Sequence, residues 1–187
     1  RRTRAKPVSP NLQGPGAVYT LRGHKWFCSA PMSDAMLTVA YGPNDTDQPS
    51  CFLVPRWMPD GAKNTGLQLA RLKNKLGDHS NATAEIELNN AWAMMIGPAG
   101  QGLNVLMQMV HHSRLECALT TAAQMRAALR QAVHYVSHRR AFGQWLVRAP
   151  AMVNLLGDLA TESEAATIMV MRLAQAFDES ALAAHTG

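Results

Sequence analysis

The sequence predicts a multi-domain α and β protein, with an antiparallel β-barrel or sandwich over residues 1–98 followed by helices of a bundle over 99–187. Three observations lead there. Short β-rich runs separated by turn residues fill the first hundred positions, a glycine-rich stretch sits near residue 100, and beyond it the apolar residues change to helical spacing.

The strands come first. Val18-Tyr19-Thr20-Leu21 precedes Arg22-Gly23, Met36-Leu37-Thr38-Val39-Ala40-Tyr41 precedes Gly42-Pro43-Asn44-Asp45, and Cys51-Phe52-Leu53-Val54 precedes Pro55. Leu67-Gln68-Leu69 and the strictly alternating Ala84-Glu85-Ile86-Glu87-Leu88 follow. Strands this short, almost without helical pattern between them, suit a sandwich or a barrel.

The helices follow Gly97-Pro98-Ala99-Gly100-Gln101-Gly102. Leu103, Leu106, Met107, Val110, Leu115, Ala118, Leu119, Ala122, Met125, Leu129, Val133 and Val136 fit one long amphipathic helix, or two collinear ones. At about 1.5 Å per residue it reaches roughly 50 Å, longer than a small domain is wide, which calls for a bundle or a subunit interface. A second helix opens after Pro150, with Met152, Leu155, Leu156, Leu159, Ala166, Met169, Val170, Leu173 and Phe177 as its apolar face. Two helices do not close a bundle, so the expectation is a fragment or an obligate oligomer. No internal repeat or low-complexity tract interrupts the chain.

Composition narrows the class. With 187 residues and 47% hydrophobic content, the chain has enough material for a substantial core. It has no apolar run of about 18 residues, and no apolar segment follows the polar start Arg1-Arg2-Thr3-Arg4, so neither a membrane span nor a signal peptide is expected. Cys28, Cys51 and Cys117 are isolated and odd in number, which argues against a disulfide framework or a thiolate zinc site. A reducing, cytoplasmic location follows. The net charge of +5 is diffuse: residues 1–100 carry 11 Lys and Arg against 7 Asp and Glu, and residues 101–187 carry 7 against 6. Its densest clusters, Arg1, Arg2, Arg4, Lys6 and the run Arg71-Leu72-Lys73-Asn74-Lys75, read as solvated faces rather than a nucleic-acid site.

The segment His138-Arg139-Arg140-Ala141-Phe142-Gly143-Gln144 closes the first helix. Arginine matches phosphate oxygens as a planar fork, Phe142 offers a flat apolar face, and Gly143 permits the reversal that ends the helix. Ordinary C-terminal capping explains the same residues equally well at this point.

The order of these motifs resembles the flavin-dependent acyl-CoA dehydrogenases. Leu21-Arg22-Gly23-His24-Lys25-Trp26-Phe27-Cys28-Ser29 is similar to that family's L-x-G-x-K-x-W-I-T strand, with Phe27 in place of its tryptophan. Pro31-Met32-Ser33-Asp34-Ala35 resembles the turn that follows, Cys51-Phe52-Leu53-Val54-Pro55 its F-x-V-P strand, and Gly97 to Gly102 its G-x-E-G-x-G entry to a four-helix bundle, with Ala99 replacing Glu. His24 to Asp34 and Arg71-Leu72-Lys73-x-Lys75-Leu76-Gly77-x-x-Ser80-Asn81-Ala82 look more like the adaptive-response branch linked to DNA alkylation damage than like fatty-acyl members.

The resemblance implies FAD as cofactor, with Phe27, Cys28 and Ser29 beside the isoalloxazine, Arg139 on the pyrophosphate of a neighbouring subunit and Phe142 near the adenine. Strand alternation supports part of this, sending Phe27 and Ser29 to one face and Cys28 to the other. Arg114 matches an arginine near the acyl thioester; its apolar neighbours also allow a buried ion pair. No catalytic residue is assigned. Ser113 cannot replace the glutamate that a few members carry before this arginine, Glu116 lies roughly 200° around the helix from Arg114, and the usual glutamate is expected beyond Gly187. His111 and His112 lie on different faces; His134 and His138 share one at i,i+4 but lack a third ligand, so no metal is expected.

The implied activity is α,β-dehydrogenation of an acyl-CoA thioester by a homo-oligomer, a tetramer, that passes electrons to an acceptor the sequence does not specify. The alternative is a DNA-associated alkylation-response protein that retains FAD, with DNA held by a C-terminal region outside this chain. A flavin-free oligomerisation scaffold is the third reading.

Overall fold

The computed structural model describes residues 2–43 and 48–186, with side chains through residue 184. Arg1 of the basic start, Asn44-Asp45 of the expected turn and Gly187 lie outside the described residues. The chain divides into two compact units, Arg1–Met109 and Val110–Gly187.

The first unit holds strands β1 (Arg4–Pro7), β2 (Val18–Ser29), β3 (Ala35–Ala40), β4 (Ser50–Pro55), β5 (Leu67–Leu72) and β6 (Thr83–Ile96). They pair antiparallel in the order β1-β2-β6-β4-β3, and β5 pairs with β6 as well. A parallel bridge joins Arg4 to Tyr41, just past β3. There the Ala5 N–H donates to the Tyr41 carbonyl at 2.8 Å, and the Tyr41 N–H to that of Thr3 at 2.9 Å. This bridge ties the last strand of the path back to the first at one point, as closure into a barrel requires.

The core follows from the alternation. Tyr19 and Leu21 of β2, Phe52 and Val54 of β4, and Ala84, Ile86 and Leu88 of β6 are all buried. Tyr19 and Phe52 meet edge-to-face with ring centroids 5.1 Å apart. Asn64, buried in the loop before β5, donates to the carbonyls of Pro55 and Trp92 and accepts from the Trp92 N–H, so the loop is pinned to two strands.

One expectation changes here. Arg22-Gly23 is not a turn: β2 continues through it for 12 residues, with the register against β6 shifting between Leu21 and Arg22 and again between Lys25 and Cys28. The ladder to β6 supplies backbone partners on both sides of the glycine, and this overrides its local preference for a turn. The glycine-rich joint packs against the segment at the start of β4. The Gly100 N–H donates to Ser50 Oγ, the Gly102 N–H to the Pro49 carbonyl, and a Cβ on Gly102 would sit 2.4 Å from the Ser50 carbonyl carbon. No side chain fits at that approach.

Helix α1 (Gly102–His138) is continuous over 37 residues. A small hairpin, β7 (Arg140–Ala141) and β8 (Gln144–Trp145), and a 3-10 turn (Leu146–Arg148) lead to α2 (Pro150–Thr186). Pro150 takes the first helical position, where its missing N–H costs no hydrogen bond. Within the second unit, the His112 ring lies 5.9 Å from that of Phe177, while Leu129 and Arg130 share a groove with Ala160 and Ser163. Rising numbers on one helix thus meet falling numbers on the other, so the pair is antiparallel. The apolar face expected on α2 is wider than this contact. Met152, Leu156, Ala166, Val170 and Phe177 are half-buried, whereas Leu155, Leu159, Met169 and Leu173 point outward. Among the described residues, no helix is long and apolar enough to cross a membrane.

Candidate functional site

The end of β2 carries the first group of candidate residues. The register shift between Lys25 and Cys28 inserts a bulge, which turns both Trp26 (55% exposed) and Phe27 (67%) outward instead of alternating them. Past the bulge Cys28 faces inward beside Met36, with the two sulfurs 3.9 Å apart, while Ser29 is exposed. Burial pushes the Cys28 thiol up, which suits a packing residue rather than a nucleophile. Lys25, which the resemblance placed in the motif without a role, braces the barrel by donating from Nζ to the Val39 carbonyl at 2.7 Å; burial pushes its pKa down.

Beneath the two rings lies a charge cluster that the sequence did not reveal. Lys73 Nζ sits 3.2 Å from the centroid of Trp26 and 4.6 Å from that of Phe27. The same ammonium donates to Glu85 Oε1 at 2.8 Å, and Arg71 Nε donates to that oxygen at 2.7 Å. The side chains of Lys73 and Glu85 are 10% and 8% exposed. The Lys73 hydrogen bond is the main cause holding the Glu85 carboxyl below its ordinary range; burial opposes it, and Arg71 adds to it. The expectation that Arg71 to Lys75 form a solvated face therefore fails at Lys73, because β5 pairs Arg71 with Glu85 across the ladder. The available signal was Glu85 itself, a carboxylate in an alternating strand whose neighbours are core residues. Trp26, Phe27, Arg71, Lys73 and Lys75 line a cavity of about 490 Å³.

The second group stands at the end of α1. The helix stops at His138, whose Nδ1 donates to the His134 carbonyl at 2.8 Å, with the two imidazoles stacked 4.4 Å apart. Gly143 does not end the helix. Phe142 (φ 52°) and Gly143 (φ 77°) are the two central residues of the β7–β8 hairpin, a turn that needs the left-handed region twice. This turn leaves Phe142 95% exposed. Arg140 is used locally, its guanidinium 5.2 Å from the Trp145 ring centroid and 3.5 Å from the Gly143 carbonyl. Arg139 is exposed and has no side-chain hydrogen bond or ion pair among the described residues. With Arg130, His134, Tyr135 and His138 it lines a groove of about 730 Å³ along the last turns of α1.

Arg114 and Glu116 are both exposed on α1. Cys28, Cys51 and Cys117 are free thiols. Among the described residues, no group of three or more His, Cys, Asp or Glu is placed to hold a metal.

Comparison with known proteins identifies both parts of the chain. Residues 4–91 match the acyl-CoA dehydrogenase middle domain and residues 100–186 the acyl-CoA dehydrogenase C-terminal domain. The chain is 40% identical to AidB of Escherichia coli K12 over 163 residues, covering 87% of this chain and 29% of that protein. Among solved structures it resembles Caenorhabditis elegans ACDH-11 in complex with C11-CoA, with a TM-score of 0.75 at 29% identity over 94% of this chain and 31% of that one. The fold is also that of a Bacillus anthracis acyl-CoA dehydrogenase complexed with FAD, with a TM-score of 0.75 at 20% identity over 91% of this chain and 28% of the other. The chain thus spans less than a third of these relatives' lengths. With both domain matches in order along one sequence, the chain belongs to the acyl-CoA dehydrogenase family.

Proposed function

We propose that the chain forms part of an FAD-dependent oxidoreductase that introduces a double bond between the α and β carbons of an acyl-CoA thioester, and that it is of the AidB type. One observation carries this reading: each of the two groups presents an aromatic ring to solvent, with an exposed polar side chain suited to a flavin nucleotide two or three positions away along the chain. Phe27 is followed by Ser29 in one, and Phe142 follows Arg139 in the other. Rings 67% and 95% exposed gain free energy when a ligand or a neighbouring subunit covers them.

The donor set fits FAD in both places. Phe27 offers a flat wall for the isoalloxazine, and Ser29 a hydroxyl for its polar edge. Arg139 offers an uncommitted guanidinium fork for the pyrophosphate, and Phe142 a face for the adenine end. Bound FAD supplies the hydride acceptor. Arg114 is assigned to the thioester region. The carboxylate that takes the α proton is not at Ser113, which has none, so these residues bind and orient while the base comes from a position outside the matched motifs. The divided donor set favours a homo-oligomer, a tetramer, in which neighbouring subunits complete each FAD site.

The 40% identity to AidB supports the adaptive-response branch, and with it the alternative of a DNA-associated protein that keeps FAD without using it on acyl-CoA. Anaerobic stopped-flow of the complete flavoprotein against acyl-CoAs of graded length separates the two. Bleaching of the flavin band with some chain length is expected. Its absence with every chain length overturns the dehydrogenase reading and leaves the DNA-associated one.

A further inference from the structure

We propose that Lys73 is a positioning residue for the flavin-facing wall: its ammonium, pinned by Glu85, fixes the Trp26 and Phe27 rings that the β2 bulge turns outward. This rests on the reading that Phe27 borders FAD.

The bulge creates a problem that Lys73 answers. Two adjacent aromatic side chains, 55% and 67% exposed at the end of a strand, are free to exchange rotamers, and a wall that moves cannot hold a planar ligand in one orientation. The Lys73 ammonium lies close to both ring centroids, at 3.2 and 4.6 Å, the geometry in which a cation is attracted to the negative face of a π system. Lysine is ordinarily a flexible point charge, yet this one is held by Glu85 Oε1 at 2.8 Å and is 10% exposed. Arg71 Nε donates to the same carboxylate oxygen at 2.7 Å, and its guanidinium lies 5.8 Å from the Trp26 centroid.

Stability alone does not account for the arrangement. An apolar side chain of similar volume would fill the space under the rings without the desolvation cost of an ammonium, and such replacements of buried pairs are commonly neutral or stabilising. The charge provides what an apolar residue cannot, an orientation-dependent hold on two ring faces. It also leaves the cluster with two cations against one carboxylate. The net positive charge beside the wall favours the electron-rich reduced isoalloxazine over the oxidised form.

The test uses the flavin-loaded protein with Phe27→Ala, Lys73→Met and Lys73→Arg, and a Lys73→Met/Glu85→Gln double variant that leaves no lone buried carboxylate if the single variant folds poorly. FAD dissociation, the visible flavin band, the flavin midpoint potential and Tm are measured together. Lys73→Met and the double variant are expected to release FAD roughly 2- to 30-fold more readily, the span of a cation–π contact, with a shifted band and a lower midpoint potential, and Lys73→Arg to restore most of the loss. If Phe27→Ala changes the flavin while both Lys73→Met forms alter Tm alone, Lys73 is merely structural and the inference falls. If Phe27→Ala leaves the flavin untouched, the reading of Phe27 falls first and takes the inference with it.

Discussion

The β unit keeps a core of large side chains fully inside, even though Trp26 and Phe27 at the end of β2 point outward, while the helical unit buries almost none of its own. Tyr19, Leu21, Phe52 and Val54 are at most 2% exposed. In the helical unit only Ala122, Val136 and Ser163 are buried among the described residues, while Leu155, Ile168 and Met169 are 52%, 64% and 71% exposed. The barrel contains its own stability, whereas the helical pair has apolar faces that need cover from outside the pair. Charges divide in the same sense. Lys73 and Glu85 of the barrel are paired inside it, and Arg139 of the helical unit is held out to solvent.

The largest effect expected from this contrast is on stability. Phe52→Ala removes a fully buried ring packed on Tyr19 and should cost about 3–5 kcal/mol, read as a fall in the urea midpoint of the 187-residue chain. Leu155→Ala in the same chain should cost less than ~0.5 kcal/mol, because its side chain is already in water. Equal costs would break the comparison. A Leu155→Ala penalty that grows severalfold in the complete protein would sharpen it, by showing that another element covers this face.

Next in size is the effect of the outward arginine. Arg139→Ala should weaken FAD retention by roughly 10- to 100-fold, the worth of a charge-assisted hydrogen bond to phosphate. Arg140→Ala should do much less, because Arg140 is already occupied by Trp145 and the Gly143 carbonyl. Flavin released on dilution, followed by fluorescence, measures both. Equal losses would remove the role given to Arg139.

The difference between the units also explains what the sequence revealed. Period and local turn chemistry predicted β2 to β6, the joint and both helices, since these depend on neighbours in the chain, but missed β1 (Arg4–Pro7) and the β7–β8 hairpin, whose runs are too short to show a period. Wherever the partner was distant, the reading failed. Gly23 became strand because β6 pairs with it, Trp26 turned outward at a bulge defined against β6, and Lys73 was buried by Glu85, twelve positions away on the paired strand. Phe27, Ser29, Arg139 and Phe142 were legible as candidates through motif resemblance. Their outward presentation was not, because it depends on a bulge and on a hairpin turn whose glycine first reads as a helix terminator. The apolar stripe on α2 likewise gave the total width of its face but not the division between the α1 seam and the outward half.

The smallest effect concerns the inward carboxylate. Glu85 has a lowered pKa in the folded protein, chiefly through its hydrogen bond from Lys73. A carboxyl with a depressed folded pKa binds fewer protons folded than unfolded, so its contribution is complete above the unfolded carboxylate range and is lost as pH falls through the folded pKa. Between neutral pH and about pH 3, urea midpoints of the wild-type chain should therefore fall more steeply than those of Glu85→Gln, which has no such proton to gain. Glu179→Gln on α2 is the control from the other unit. Its carboxylate is exposed and meets Arg172 at 3.4 Å and Gln175 at 2.9 Å, so the substitution should change stability at neutral pH by less than ~1 kcal/mol. Parallel acid curves for wild type and Glu85→Gln would mean that the buried cluster adds no pH-dependent stability to the barrel. The contrast between inward and outward charge would then be one of placement alone.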